Sequence, residues 1–194
     1  MTAARSYHHG NLRAALLEEA EQALASGRDL SLRELAREVG VSHAAPRRHF
    51  ADKQALLDAL AQDGFERLGA ELSAALEAAG FDEQLHAMAR TYVRFATQHA
   101  ALLELMYTGK HRPGVDPGVG EAAERALTPM LGVIVAGQQS GDVVAGAPEQ
   151  VGAAVFAMVQ GLAALVNLGM LDEAAVDAAI ERLILGLRPR RVVS

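Results

Sequence analysis

Apolar positions recur at helical spacing along almost the whole chain, and their breaks mark where elements begin and end. Leu12, Leu16, Ala20, Ala23 and Leu24 make one stripe of a helix over 11–26, with Glu18, Glu19 and Glu21 mostly off it and Gly27 stopping it. Ser31-Leu32-Arg33-Glu34 has the spacing of a capping box, in which the serine hydroxyl accepts an amide and the glutamate reaches back. Leu32, Leu35, Ala36 and Val39 follow as one face, and Gly40 closes that helix in the left-handed conformation glycine favours. Ser42 is the expected cap of a brief third helix, with Pro46 at the end of its first turn, where it forfeits little.

Asp52 caps the next pattern, which runs to Ala79 before Gly80 through Leu56, Leu57, Leu60, Phe65, Leu68, Leu72 and Leu76. Such a helix would exceed about 40 Å, long enough to bridge two domains. Further helices are predicted over 82–99, 101–108, 121–140, 149–169 and 172–187, with a kink at Pro129 and a mobile loop at GKHRPGVDPGVG, 109–120. No stretch alternates as a strand would, so the fold class is all-α: an N-terminal helix-turn-helix domain, 1–53, ahead of a larger helical domain, 54–194.

Composition agrees with packed helices. Hydrophobic residues are 51%, aromatics only 4%, and there is no tryptophan. The absence of cysteine excludes disulfides and thiolate metal sites, and MTAARSYHHGNLR lacks the apolar core of a secretory signal, so a cytoplasmic location is expected. Residues 150–171 carry no charge and would suffice in length to cross a membrane. Gln160, Asn167, three glycines, acidic flanks at Glu149, Asp172 and Glu173, and no aromatic or basic anchors argue against insertion. A helix apolar all round needs cover on every side, so a homodimer through the helices at 149–187 is expected, with no membrane.

Charge changes the picture at the N-terminus. The net charge is −6, but residues 1–53 hold eight Lys and Arg against seven Asp and Glu, a balance of +1, whereas 54–194 hold ten against seventeen, −7. Within VSHAAPRRHF, 41–50, Arg47, Arg48 and His49 crowd the end of the short helix, and Lys53 opens the next one. A lysine at the positive end of a helix dipole is unfavourable unless an anion is near, and a phosphate would supply one. The competing reading of those charges is a plain solvated basic face. Two capped helices joined through Gly40 and Val41 tip the choice toward duplex DNA, read in the major groove.

The stretches LSLRELAREVGVS (30–42), RHF (48–50) and DKQALLDAL (52–60) resemble the N-terminal domain of the tetracycline-repressor family of transcriptional regulators, and HHGNLR (8–13) with VSHAAP (41–46) resembles one branch of it. The resemblance implies a homodimeric regulator, more often a repressor, bound to a palindromic double-stranded DNA operator and released by a small-molecule effector. It implies DNA contacts from Ser31, Ser42, His43, Ala44, Ala45, Arg47, Arg48, His49 and Lys53, with residues 42–45 facing base edges and Lys53 holding phosphate. The family usually has tyrosine where this chain has Arg47, so operator preference does not transfer.

Beyond residue 80 the resemblance covers helical architecture alone. Leu85, Met88, Ala89, Tyr92, Phe95, Ala96, His99, Leu103, Met106 and Tyr107 form a methionine and aromatic face that reads either as plain core or as the wall of an effector pocket. The candidate ligand-binding residues are Met88, Tyr92, Phe95, His99, Met106, Gln138 and Gln160, and the scarcity of charge predicts an apolar effector. No His-Glu-x-x-His, P-loop or Gly-x-Ser-x-Gly occurs, and the adjacent His8 and His9 cannot share one helical face, so neither enzyme chemistry, metal nor cofactor is expected. A helical interaction module without operator binding is the alternative function.

Overall fold

The computed structural model of the chain describes residues 12–78 and 80–189; His8, His9 and the predicted helix end at Ala79 lie outside them. Among the described residues there are eight α-helices and no strand. They divide into two compact units that interleave along the chain. The first comprises residues up to Asp63 together with Ala101–Val119, and the second Gly64–Ala100 together with the residues from Gly120 onward.

In the first unit, α1 (Leu12–Ala25) and α2 (Leu32–Val39) pack with a 3₁₀ turn at Pro46–Arg48, the start of α3 (Lys53–Ala74), α5 (Ala100–Lys110) and the opening of α6 (Pro117–Ser140). Leu16, Leu35, Phe50, Leu56, Leu60, Leu102 and Met106 are buried in its core; each leucine so buried contributes about 2 kcal/mol. The caps sit where the sequence places them. Ser31 Oγ accepts the Glu34 amide at 3.2 Å, Gly40 closes α2 with φ 79°, and Asp52 Oδ1 accepts the Ala55 amide at 2.9 Å.

Two predicted elements differ. The short helix expected from Ser42 is a turn leading into the 3₁₀ segment Pro46–Arg48. Pro46 has no N–H, so the Ser42 carbonyl instead accepts the Ala45 amide at 2.9 Å, an i to i+3 bond that tightens the turn. The stretch 109–120, expected to be a mobile loop, is half helical: α5 runs to Lys110 and α6 begins at Pro117. The six residues between are tied down by Arg112 N to Gly109 O at 3.0 Å, Val115 N to Arg112 O at 3.2 Å, and the Arg112 side chain to Asp58.

In the second unit, α4 (Phe81–Gln98) packs against α7 (Pro148–Asn167) and α8 (Glu173–Leu187), beside the later turns of α3 and α6. α3 ends five residues sooner than its apolar pattern suggests and passes through a 3₁₀ turn at Ala75–Glu77. The last turn tightens as the Ala75 carbonyl accepts the Ala78 amide at 3.5 Å, Ala78 turns extended, and the Gln84 amide caps the end by donating to the Leu76 and Ala78 carbonyls at 3.1 Å each. α6 continues through Pro129.

Arg188, just past α8, clamps this unit. Its guanidinium donates to both oxygens of Asp82 at 2.7 Å, to the Asp142 carboxylate, and lies 5.7 Å from the Phe81 ring centre.

Helix α7 buries Gly152, Val155, Val159, Leu162 and Ala163. Ala153, Ala157, Gly161, Ala164 and Leu168 form an exposed small and apolar face on its other side. Its length and hydropathy would suffice to cross a membrane, and 28% of its apolar window is buried.

Glycines in α6 give opposed expectations for one substitution. A Cβ at Gly137 would lie 2.6 Å from Val143 Cγ2 and 2.7 Å from the Phe81 ring, whereas at Gly132 nothing lies within 4 Å. Gly132→Ala should raise the thermal midpoint by about 2 °C through helix propensity. Gly137→Ala should lower it by about 4 °C through overpacking. Equal midpoints for the two variants would contradict the packing argument.

Candidate nucleic-acid interface and apolar cavity

The turn that follows α2 is presented outward by two buried anchors. Pro46 and Phe50 point inward, and Ser42, His43, Ala44, Arg47, Arg48 and His49 are exposed between and beside them, with Ala45 half-buried. Ser31, half-buried, spends its hydroxyl on capping α2. Arg13, which the sequence does not single out, lays its guanidinium 5.8 Å from the Phe50 ring centre and so joins the basic cluster from α1. Nothing local links residues 37 positions apart, and only the fold brings them together.

Charge pairing separates Arg47 and Arg48 from most of the other arginines, although Arg33 and Arg182 likewise meet no carboxylate among the described residues. Arg28, Arg37, Arg90, Arg94, Arg112, Arg125 and Arg188 each meet a carboxylate. Among the described residues Arg47 and Arg48 meet none. Lys53 is exposed at the first turn of α3, and its ammonium lies 3.6 Å from Asp29, itself 83% exposed. That pair is weak in water and readily exchanged. The anion that the lysine's placement calls for is therefore supplied in part within the protein.

One charged pair in this unit is of a different kind. Asp58, five residues along α3 from Lys53, is only 8% exposed. Its carboxylate accepts from Gln54 Nε2 at 2.9 Å, from Arg112 Nη2 at 3.0 Å to each oxygen, and from the Asp116 amide at 3.2 Å. Burial by itself would raise the Asp58 pKa. The hydrogen bonds from Gln54, the Asp116 backbone and Arg112, with the arginine's charge, outweigh it and hold the carboxyl below its ordinary 3.8. Arg112 Nε is buried without a hydrogen-bond partner.

In the second unit Leu72, Leu85, Met88, Ala89, Tyr92, Leu127, Met130, Val155, Phe156 and Val159 enclose a cavity of about 20 Å³ with wholly apolar walls. That is room for about one water, which would find no polar partner there. Tyr92 meets Phe156 edge-on at 5.6 Å. Any larger occupant has to part Met88, Met130 and Phe156, flexible or edge-packed side chains well suited to moving.

Of the residues suggested for a ligand, Met88 and Tyr92 line this cavity. Phe95 is buried beside His99, ring centres 4.9 Å apart, and Arg67 Nη2 lies 3.4 Å from both His99 ring nitrogens. Met106 belongs to the core of the first unit. Gln138 donates to the Val144 and Gly146 carbonyls at 3.1 Å each, so its amide holds the loop after α6. Gln160 is half-buried on α7.

Comparison with known proteins covers nearly the whole described chain. The family model for bacterial regulatory proteins of the tetR family matches residues 16–60, and that for a tetracyclin repressor-like C-terminal domain matches 85–187. A protein of unknown function from Rhodococcus sp. RHA1 is 42% identical, with a TM-score of 0.85 over 96% of this chain and 100% of that one. A TetR family transcription regulator from Marinobacter aquaeolei VT8 shares the fold at 20% identity and a TM-score of 0.75, covering 92% and 96% of the two chains. The fatty acid degradation regulator FadR from Bacillus halodurans does so at 16% identity and a TM-score of 0.76, covering 95% and 100%. No curated protein matches.

The Asp58 carboxylate makes a pH-dependent expectation. A group whose folded pKa is depressed stabilises the fold above its unfolded value and ceases to do so as pH falls through the folded one. Asp58→Asn should therefore cost about 2 kcal/mol at pH 7. Denaturant titrations of the two proteins should converge as pH drops below 3.8. A gap that persists unchanged at pH 3 would contradict the assignment.

Proposed function

Because the chain belongs to the tetracycline-repressor family of transcriptional regulators, we propose that it acts in the cytoplasm as a homodimeric repressor, holding a palindromic operator and leaving it when an apolar effector binds. The observation that carries this reading is the pair Arg47 and Arg48, exposed and without a carboxylate partner among the described residues, on a turn held out by Pro46 and Phe50. Unpaired cations on a protein of net charge −6 are what a phosphate backbone neutralises. His43, Ala44 and Ala45 face base edges in this reading, Ser31 and Ser42 flank them, and His49 and Lys53 add phosphate contacts. Arg47 reaches either a phosphate or the acceptor edge of a guanine.

The exposed face of α7 supports the dimer. Ala153, Ala157, Gly161 and Ala164 allow close helix approach, and Leu168 and Leu185, 72% and 60% exposed, supply apolar surface for the partner copy. Two operator-reading turns then sit about 34–36 Å apart or a multiple of it, matching one face of the duplex. The cavity beside Met88 and Tyr92 supports an effector without formal charge. Opening it favours one packing of α4, α6 and α7 over another, and the operator is lost to the extent that the effector prefers the packing that binds DNA less well.

Selection of bound fragments from random duplexes should return an inverted repeat, and its affinity should fall by several powers of ten between low and physiological salt if about six to ten phosphates are held. Arg47→Ala and Lys53→Ala should each weaken binding and flatten the slope of log affinity against log salt by about one. Unchanged slopes would remove their phosphate roles. In sedimentation the wild type should run as a dimer at micromolar concentration and Ala157→Glu as a monomer; a dimeric Ala157→Glu would place the interface elsewhere.

A further inference from the structure

Asp58 joins three separate stretches of the first unit. Gln54, from the first turn of α3 and next to Lys53, donates to it; Arg112 reaches it from the connection between α5 and α6; and the Asp116 amide reaches it from the cap of α6. Asp116 in turn accepts the Gly118 amide on Oδ1 at 2.8 Å, which starts α6. At the other end of the same turn Asp52 accepts the Ala55 amide. The first two turns of α3 are thus held from both ends, and the start of α6 cannot shift against them without breaking bonds to one carboxylate.

Stability alone does not account for this arrangement. Ion pairs withdrawn from water recover their desolvation only when every donor is satisfied, and an apolar replacement of equal volume is often as stable. Here Arg112 Nε is buried without a partner, and Arg112 Nη1 is turned back onto its neighbour's carbonyl at Pro113, 3.2 Å away. What the pair does supply is a charge-assisted tie between distant stretches: one guanidinium nitrogen, Arg112 Nη2, reaches both oxygens of Asp58 and holds the connection against α3.

We propose that Arg112 is a positioning residue for operator binding, which by clamping Asp58 sets the first turns of α3, and with them Lys53, at the angle the DNA backbone requires. This rests on the operator reading above. Arg112 itself touches no phosphate in this account, because Asp58 occupies its guanidinium.

The test uses the full-length protein and the duplex selected by the wild type, at a temperature where circular dichroism shows every variant folded. Arg112→Met keeps the aliphatic stem and removes the guanidinium, and should weaken operator affinity about tenfold with the salt slope unchanged. Arg112→Lys, which keeps a cation for Asp58, should recover part of that loss. The double variant Asp58→Asn with Arg112→Met removes the buried charge entirely and should regain thermal stability over Arg112→Met without regaining operator affinity. If affinity instead follows the thermal midpoint across the three variants, the pair is a brace and the proposal falls. A salt slope reduced by about one in Arg112→Met would make Arg112 a phosphate contact and overturn it equally. A wild type that selects no duplex would remove the operator reading, and this inference with it, whereas a wild type that binds beside an unaffected Arg112→Met removes this inference alone.

Discussion

A protein that is acidic overall and binds DNA must keep its own carboxylates away from the few cations that face the duplex. This chain does so by place. Its acids fall mainly after residue 53, and most of the arginines described there are held by them in ion pairs such as Arg90 with Asp177 and Arg94 with Glu71. On the turn after α2 the two arginines have no such partner among the described residues, and the segment that carries them is too short and too tightly bonded to fold back toward an acid. The DNA reading of the molecule depends on that separation more than on its total charge.

Much of the fold was legible in the sequence because it is written locally. Caps at Ser31, Gly40 and Asp52 declare themselves within three or four residues, and the period of the apolar positions located every α-helix among the described residues, while the brief helix expected from Ser42 is a turn and a 3₁₀ segment. That one misled because a cap followed by small residues reads as a helix start, while the missing proline amide two turns of bonding later decides between α and 3₁₀. The end of α3 misled for a different reason: its apolar pattern persists to Leu76, but the last turn tightens to 3₁₀ before Ala78 turns extended, and Gln84, from the next helix, caps the free carbonyls of Leu76 and Ala78.

The candidate site was legible only where it is contiguous. The exposed residues of 42–49 form one run, and a run can be seen in a sequence. The pairing of Asp58 with Arg112, 54 positions apart, leaves no local trace, and the glycines and prolines around Arg112 suggest mobility to any reading that cannot see its partner. The aromatic and methionine face after residue 80 was seen as a face, but whether a residue on it ends at a cavity, like Tyr92, or in a packed core, like Met106, depends on which unit its turn belongs to.

The Arg188 clamp has a consequence for the order in which the second unit is made. Its acceptors Asp82 and Asp142 lie 106 and 46 positions upstream. Contacts of such long sequence separation close slowly, because the loop entropy comes before the contact that rewards it. While the chain emerges from the ribosome the turn carrying Arg47 and Arg48 has its α1 and α2 neighbours at hand, but α4 waits for its last partner until almost the whole described chain has been synthesised. The side of α4 that packs on α8 is therefore among the last surfaces to find cover, and it stands open in the nascent protein, where chaperone capture competes with native packing.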